Sequence, residues 1–121
     1  MMGTERGAAV VEFALVLPLV LSLLFGLVEV AVVARSEIQL MQAAREGARA
    51  AAASPDTADA VLAVRTALGP RGDRARISVD RPSVVGAMAT VTIALQHRVA
   101  APVFGGFSIE LGAKAAMRVE R

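Results

Sequence analysis

The chain contains no cysteine, no tryptophan and no tyrosine, and it has a single histidine. The first absence excludes disulfides, thiolate nucleophiles and cysteine metal centres. It leaves the compartment open, because exported proteins also fold without disulfides. Without Trp or Tyr, and with a net charge of only +2, the chain has neither a stacking platform nor a strong basic surface, so no nucleic-acid partner is expected. Catalysis has equally little to work with. His97 is accompanied by no Ser/Asp or Cys constellation and falls in register with Val91, Ile93, Leu95 and Val99. It reads as a partly buried or strand-end residue. One histidine with scattered carboxylates does not make a metal site. The expectation is therefore a protein with no enzymatic activity, no cofactor and no metal.

Charge is missing altogether from residues 13–28, and the apolar run extends on either side to Ala8 and Ala34. As a helix, residues 8–34 reach about 40 Å, enough to cross a hydrocarbon core of about 30 Å. A transmembrane helix over 8–34 is expected. Val32-Val33-Ala34 has the small residues of a secretory cleavage site. The run is nevertheless longer than a signal h-region of about 7–15 residues, and Glu12 and Glu29 interrupt it. A retained anchor is the better reading. What remains is too small for a deep active site. Arg65, Arg71, Arg74, Arg76 and Arg81 are interleaved with Asp73 and Asp80, which reads as a solvated loop surface. The Arg71-Gly72-Asp73 tripeptide lies in a turn-rich stretch where such residues are common.

Good helix formers continue past Ala34, and Ile38, Met41, Ala44 or Arg45, Ala48 and Ala52 follow a three-and-four spacing. The anchor is thus predicted to run on as one helix to about Ala53. Ser54-Pro55-Asp56 reads as an N-cap, a proline at the first helical position and a first-turn acid. Val61, Val64 and Leu68 form the stripe of a short second helix, which Gly69-Pro70 ends. The period then changes to two. Ile77 and Val79, then Val91, Ile93 and Leu95, then Ile109, Leu111, Ala113, Ala115, Met117 and Val119 alternate with mostly polar neighbours. Arg81-Pro82-Ser83 and Gly105-Gly106 separate the runs. The predicted fold class is α+β: a long N-terminal transmembrane helix continuing into a helical stem, a short second helix, and a small three-stranded antiparallel sheet covered on one face.

One charge stands where it needs a reason. Glu12 opens the apolar run, although a charge at a bilayer centre costs about 2.5–3.5 kcal/mol on insertion scales. It belongs to a pattern: Gly7, then Ala8-Ala9-Val10-Val11-Glu12, then Phe13 and the long apolar helix. This pattern resembles the type III signal of type IV pilin-like proteins. The Glu12-Phe13 pair is similar to the Glu-aromatic pair of tight-adherence (Tad) pilus substrates. With Leu17-Pro18-Leu19, Leu24-Phe25-Gly26-Leu27-Val28-Glu29 and Ala43-Ala44-Arg45-Glu46-Gly47-Ala48-Arg49-Ala50, the chain resembles the TadE-like pseudopilins over residues 6 to about 53.

That resemblance implies a cytoplasmic leader over 1–7, removed by prepilin peptidase between Gly7 and Ala8, with Glu12 and Phe13 serving processing and assembly. It implies a single-pass protein of the bacterial inner membrane, with other pilins and inner-membrane assembly proteins as partners, and a minor-pilin role in filament initiation, assembly, secretion or adhesion. Two alternatives are a structural subunit of the assembly platform and an anchor for a small ligand-binding domain. The expected parts are then leader 1–7, membrane helix 8–34, extracytoplasmic stem and second helix 35–69, and β region 70–121. Arg6 stands alone before the span against Arg35, Arg45 and Arg49 after it, so the charge rule taken alone favours the reverse orientation. The resemblance requires a cytoplasmic N-terminus, and that orientation is adopted. Glu29 reads either as reaching the headgroups or as a helix contact inside a bundle. Gly47 reads either as a close helix contact or as one more small residue in an Ala-rich stretch.

Overall fold

The computed structural model describes residues 2–100 and 105–120. Met1 of the expected leader, and residues 101–104 and Arg121 of the expected β region, lie outside the described residues.

Helix α1 spans Met2–Ala53. It runs through the expected anchor and stem without a break and begins inside the expected leader instead of after it. Only Gly3 and Gly7 disfavour helix there, by about 1 kcal/mol each relative to alanine, while Glu5 sits in the first turn, where the helix dipole favours an acid. Pro18 lies within α1 and withholds one amide from the ladder. One turn later the Ser22 hydroxyl donates to the Pro18 carbonyl at 2.8 Å.

Helix α2 spans Thr57–Leu68 and starts two residues later than the sequence predicted. Its N-cap is Asp56, whose carboxylate accepts from the Ala58 amide at 3.0 Å. Ser54 is left outside, where its hydroxyl donates to Asp59 at 2.6 Å and accepts from the Asp56 amide at 3.3 Å. An Asx cap satisfies an orphan amide as well as a serine does, so either residue fits the pattern and the chain uses the later one. Ala60, Val64 and Leu68 are the buried stripe, with Val61 only half-buried. Gly69, at φ +65°, ends the helix, and a 3₁₀ segment over Gly69–Arg74 follows.

Strands β1 (Arg76–Asp80), β2 (Met88–Val99) and β3 (Phe107–Arg118) form an antiparallel sheet in the order β1-β2-β3. The register pairs Ile77 with Ile93, Val91 with Ala115 and Leu95 with Leu111, which puts the alternating apolar residues on one face. Thr92, Gln96, Glu110 and Lys114 are exposed on the other. Gly105 and Gly106 bound the β2–β3 connection at φ +80° and +94°, a conformation that favours glycine.

The core lies between this sheet, α2 and the C-terminal half of α1. Leu40, Ala43, Ala44, Ala48 and Ala51 of α1 meet Ala60 and Val64 of α2 and Val91, Ile93, Leu111 and Val119 of the sheet region. The buried face of the stem is therefore the small-residue face. Ile38 and Met41, which share the three-and-four spacing with Ala48 and Ala52, are exposed, as is Arg45. The sheet lies along the stem. Arg81 Nε donates to the Ala51 carbonyl at 2.7 Å and the Glu120 amide to the Ala52 carbonyl at 3.0 Å, while His97 stands against Glu29. From Glu29 to Ala52 the helix rises about 35 Å. From Ala87, which pairs with Val119, to His97 a strand covers about 33 Å. The two lengths match, so β2 follows the stem from top to base.

Candidate functional site

Two halves of α1 meet at Glu29. Below it, every residue from 3 to 28 is exposed, including Phe13 (66%) and Leu15 (73%). The helix is long and apolar enough to cross a membrane, and nothing in its most apolar window is buried within the chain. A contiguous apolar surface of this size marks a lipid or protein partner. Residues 8–28 alone rise about 31 Å, the thickness of a hydrocarbon core.

Gly7, Ala8, Glu12 and Phe13 all lie on this bare half. A Cβ placed on Gly7 would meet nothing within 4 Å, so no packing inside the chain calls for glycine at that position. Glu12 lies one turn beyond Ala8, on the same helix face, and has no hydrogen-bond or ion-pair partner among the described residues.

Gly47 is the opposite case. A Cβ there would stand 2.4 Å from Val64 Cγ2 and 3.2 Å from Val91 Cγ1. Its small size lets α2 and β2 close on the stem, so the close helix contact is made by the chain's own second helix.

Within the chain, Glu29 stands against the sheet. Its Oε2 lies 3.8 Å from His97 Nε2 on β2, with the two side chains 21% and 19% exposed. Both atoms are buried without a hydrogen-bond partner. The pair carries opposite charges when His97 is protonated. Sequence reasoning singled out both residues and did not join them. Each is a polar residue placed on an otherwise apolar pattern, and that shared oddity was the available signal.

The arginine cluster divides. Arg74 and Arg76 are exposed, and Arg76 reaches Glu110 at 3.3 Å. Arg71 and Arg81, expected on a solvated loop surface, are instead half-buried against α1. Arg71 donates to Ser36 Oγ at 3.0 Å and to Gln39 Oε1, and Arg81 donates to Ala51. Gly72 is buried with the Arg65 carbonyl 2.8 Å from where a Cβ would be. The Arg71-Gly72-Asp73 tripeptide thus joins the 3₁₀ segment to the stem. Among the described residues no three His, Asp or Glu side chains cluster as a metal site. An open groove between stem and α2 is lined by Gln39, Arg45, Arg49, Leu68 and Met117 among others.

A bare apolar helix becomes the spine of a small α+β head, and it is the one helix among the described residues long and apolar enough to cross a membrane. The family of TadE-like proteins matches residues 7–49. That stretch holds Gly7, Glu12, Phe13, Glu29 and Gly47 and ends before α2. It is similar to a TadE-like domain, and the long apolar helix that contains it is consistent with a single-pass membrane protein. Comparison with curated proteins and with solved structures gives no match.

Proposed function

We propose that the protein is a minor pilin or pseudopilin of a Tad-type pilus, acting in filament initiation, assembly or adhesion and carrying out no catalysis itself. Prepilin peptidase cuts between Gly7 and Ala8 on the cytoplasmic side, and the helix from Ala8 holds the protein in the inner membrane with its head outside. The observation that supports this best is the glycine at position 7: it costs helix stability and no packing within the chain repays it. Gly3 and Gly26 stand equally open, and what sets Gly7 apart is its place five residues before Glu12 at the head of the stretch similar to TadE-like proteins. Once cut, Ala8 carries an α-amino group that is largely protonated near neutral pH. Glu12, one turn away and unpartnered, pairs with that amine in its own or a neighbouring subunit.

Mass spectrometry of the chain extracted from membranes tests the cut. The expected product begins at Ala8. An intact leader in cells with an active prepilin peptidase would overturn the reading. A Glu12→Leu chain is expected to insert and be cut normally but to be missing from sheared filaments. Normal incorporation of the cut Glu12→Leu chain would remove Glu12 from the assembly role.

A further inference from the structure

Beyond His97 the β2–β3 hairpin continues past the end of the packed stem. Val99 pairs with Phe107 two residues further along the strands, about 7 Å towards the bare half of α1. On the helix that distance is four to five residues, which brings the Val99–Phe107 pair level with Leu24 and Phe25. Phe107 is 57% exposed and Ala100 is exposed. The sequence from 99 to 109 contains no ionisable side chain. Arg98, one residue above Val99, is exposed.

The geometry points to a second membrane contact: the described end of this hairpin, Val99, Ala100 and Phe107, rests in the lipid interface beside α1, with Arg98 at headgroup level. The occupant is the bilayer itself, because the adjoining surface at the same height is the bare apolar half of α1. An interfacial element sinks about 5–10 Å below the headgroup boundary, and the step below Glu29 falls in that range. An aromatic ring beside an arginine suits this depth, since the ring takes the acyl boundary and the guanidinium the phosphates. The inference rests on the reading of α1 as a bilayer anchor and is independent of any pilus role.

The chain has no Trp or Tyr, so one introduced tryptophan is a unique probe. The full chain is reconstituted in phosphatidylethanolamine–phosphatidylglycerol vesicles with acyl chains brominated near the headgroup or near the chain end. Phe107→Trp is expected to emit at shorter wavelength in vesicles and to lose emission to shallow bromine. Val99→Trp on the paired strand gives the same readout if the first variant misfolds. Val84→Trp, on the distal turn, is expected to be unaffected by either lipid, and Leu21→Trp to be quenched by deep bromine. Quenching at Leu21 with none at 107 or 99 overturns the hairpin contact and leaves the anchor standing. No quenching at any position overturns both. A concentration-dependent shift of Phe107→Trp in detergent, without bromine quenching, assigns the surface to a second copy of the chain and also overturns the proposal.

Discussion

Two glycines in one helix separate what the fold needs from what something else needs. At Gly47 an added methyl would strike Val64, a buried β-branched side chain with little room to turn. Gly47→Ala is therefore expected to destabilise the head by about 1–3 kcal/mol, read as a lower urea midpoint by circular dichroism in detergent micelles. At Gly7 the space is open, so Gly7→Ala is expected to leave that midpoint unchanged and to block the proposed cut. The Glu29–His97 contact makes a further residue-scale case. Removing one partner of a buried pair leaves the other uncompensated, whereas replacing both by apolar residues is often neutral or better. His97→Leu is expected to lower stability, read as a lower urea midpoint, and the Glu29→Leu/His97→Leu double replacement to restore it. Additive losses in the double-mutant cycle would show that the pair is not coupled. Neither residue's partner was legible in the sequence, because nothing local relates the middle of the first helix to the end of the second strand.

At the scale of elements, the strands were the most legible. Their alternation allows one apolar face only, and a slip of one residue would turn Val91, Ile93 and Leu95 outward. The stem was legible as a helix, and its facing only in part: Ala44, Ala48 and Ala52 are buried as their spacing suggests, while Ile38 and Met41 are not. Three-and-four spacing marked Ile38 and Met41, yet the sheet and α2 come so close that Ala43, Ala44, Gly47, Ala48 and Ala51 are the face that fits. Apolar size predicts burial poorly where the contact distance is set by small residues. The start of α2 was legible to within two residues, with Ser54 and Asp56 both competent caps. The structure separates them: Asp56→Ala is expected to cost about 1 kcal/mol in the same urea titration. Ser54→Ala is expected to cost less, since its hydroxyl reaches no helical amide. The reverse ranking would move the cap back to Ser54.

For the whole molecule, the sheet reaches down to Glu29 and Val33, so the base of the packed head lies below Ala34, the expected end of the anchor. Orientation across the membrane is tested at this scale. The chain has no cysteine, so Ser83→Cys, on the exposed turn after β1, offers one thiol. With the head outside, an impermeant maleimide is expected to label it in cells whose outer membrane alone has been opened. Labelling only after the inner membrane is broken would favour the orientation given by the basic residues.

The head has no hinge between itself and its anchor. Many membrane-tethered domains hang on a slack linker and sweep out a volume, but here the sheet and α2 grip the same helix that carries the bare apolar half. Any tilt of that helix is passed on undiminished. A tilt of about 20°, ordinary for a span, would carry the top of a stem about 35 Å long sideways by roughly 12 Å. The molecule behaves as a lever, and a push or pull on its buried end becomes displacement at the head.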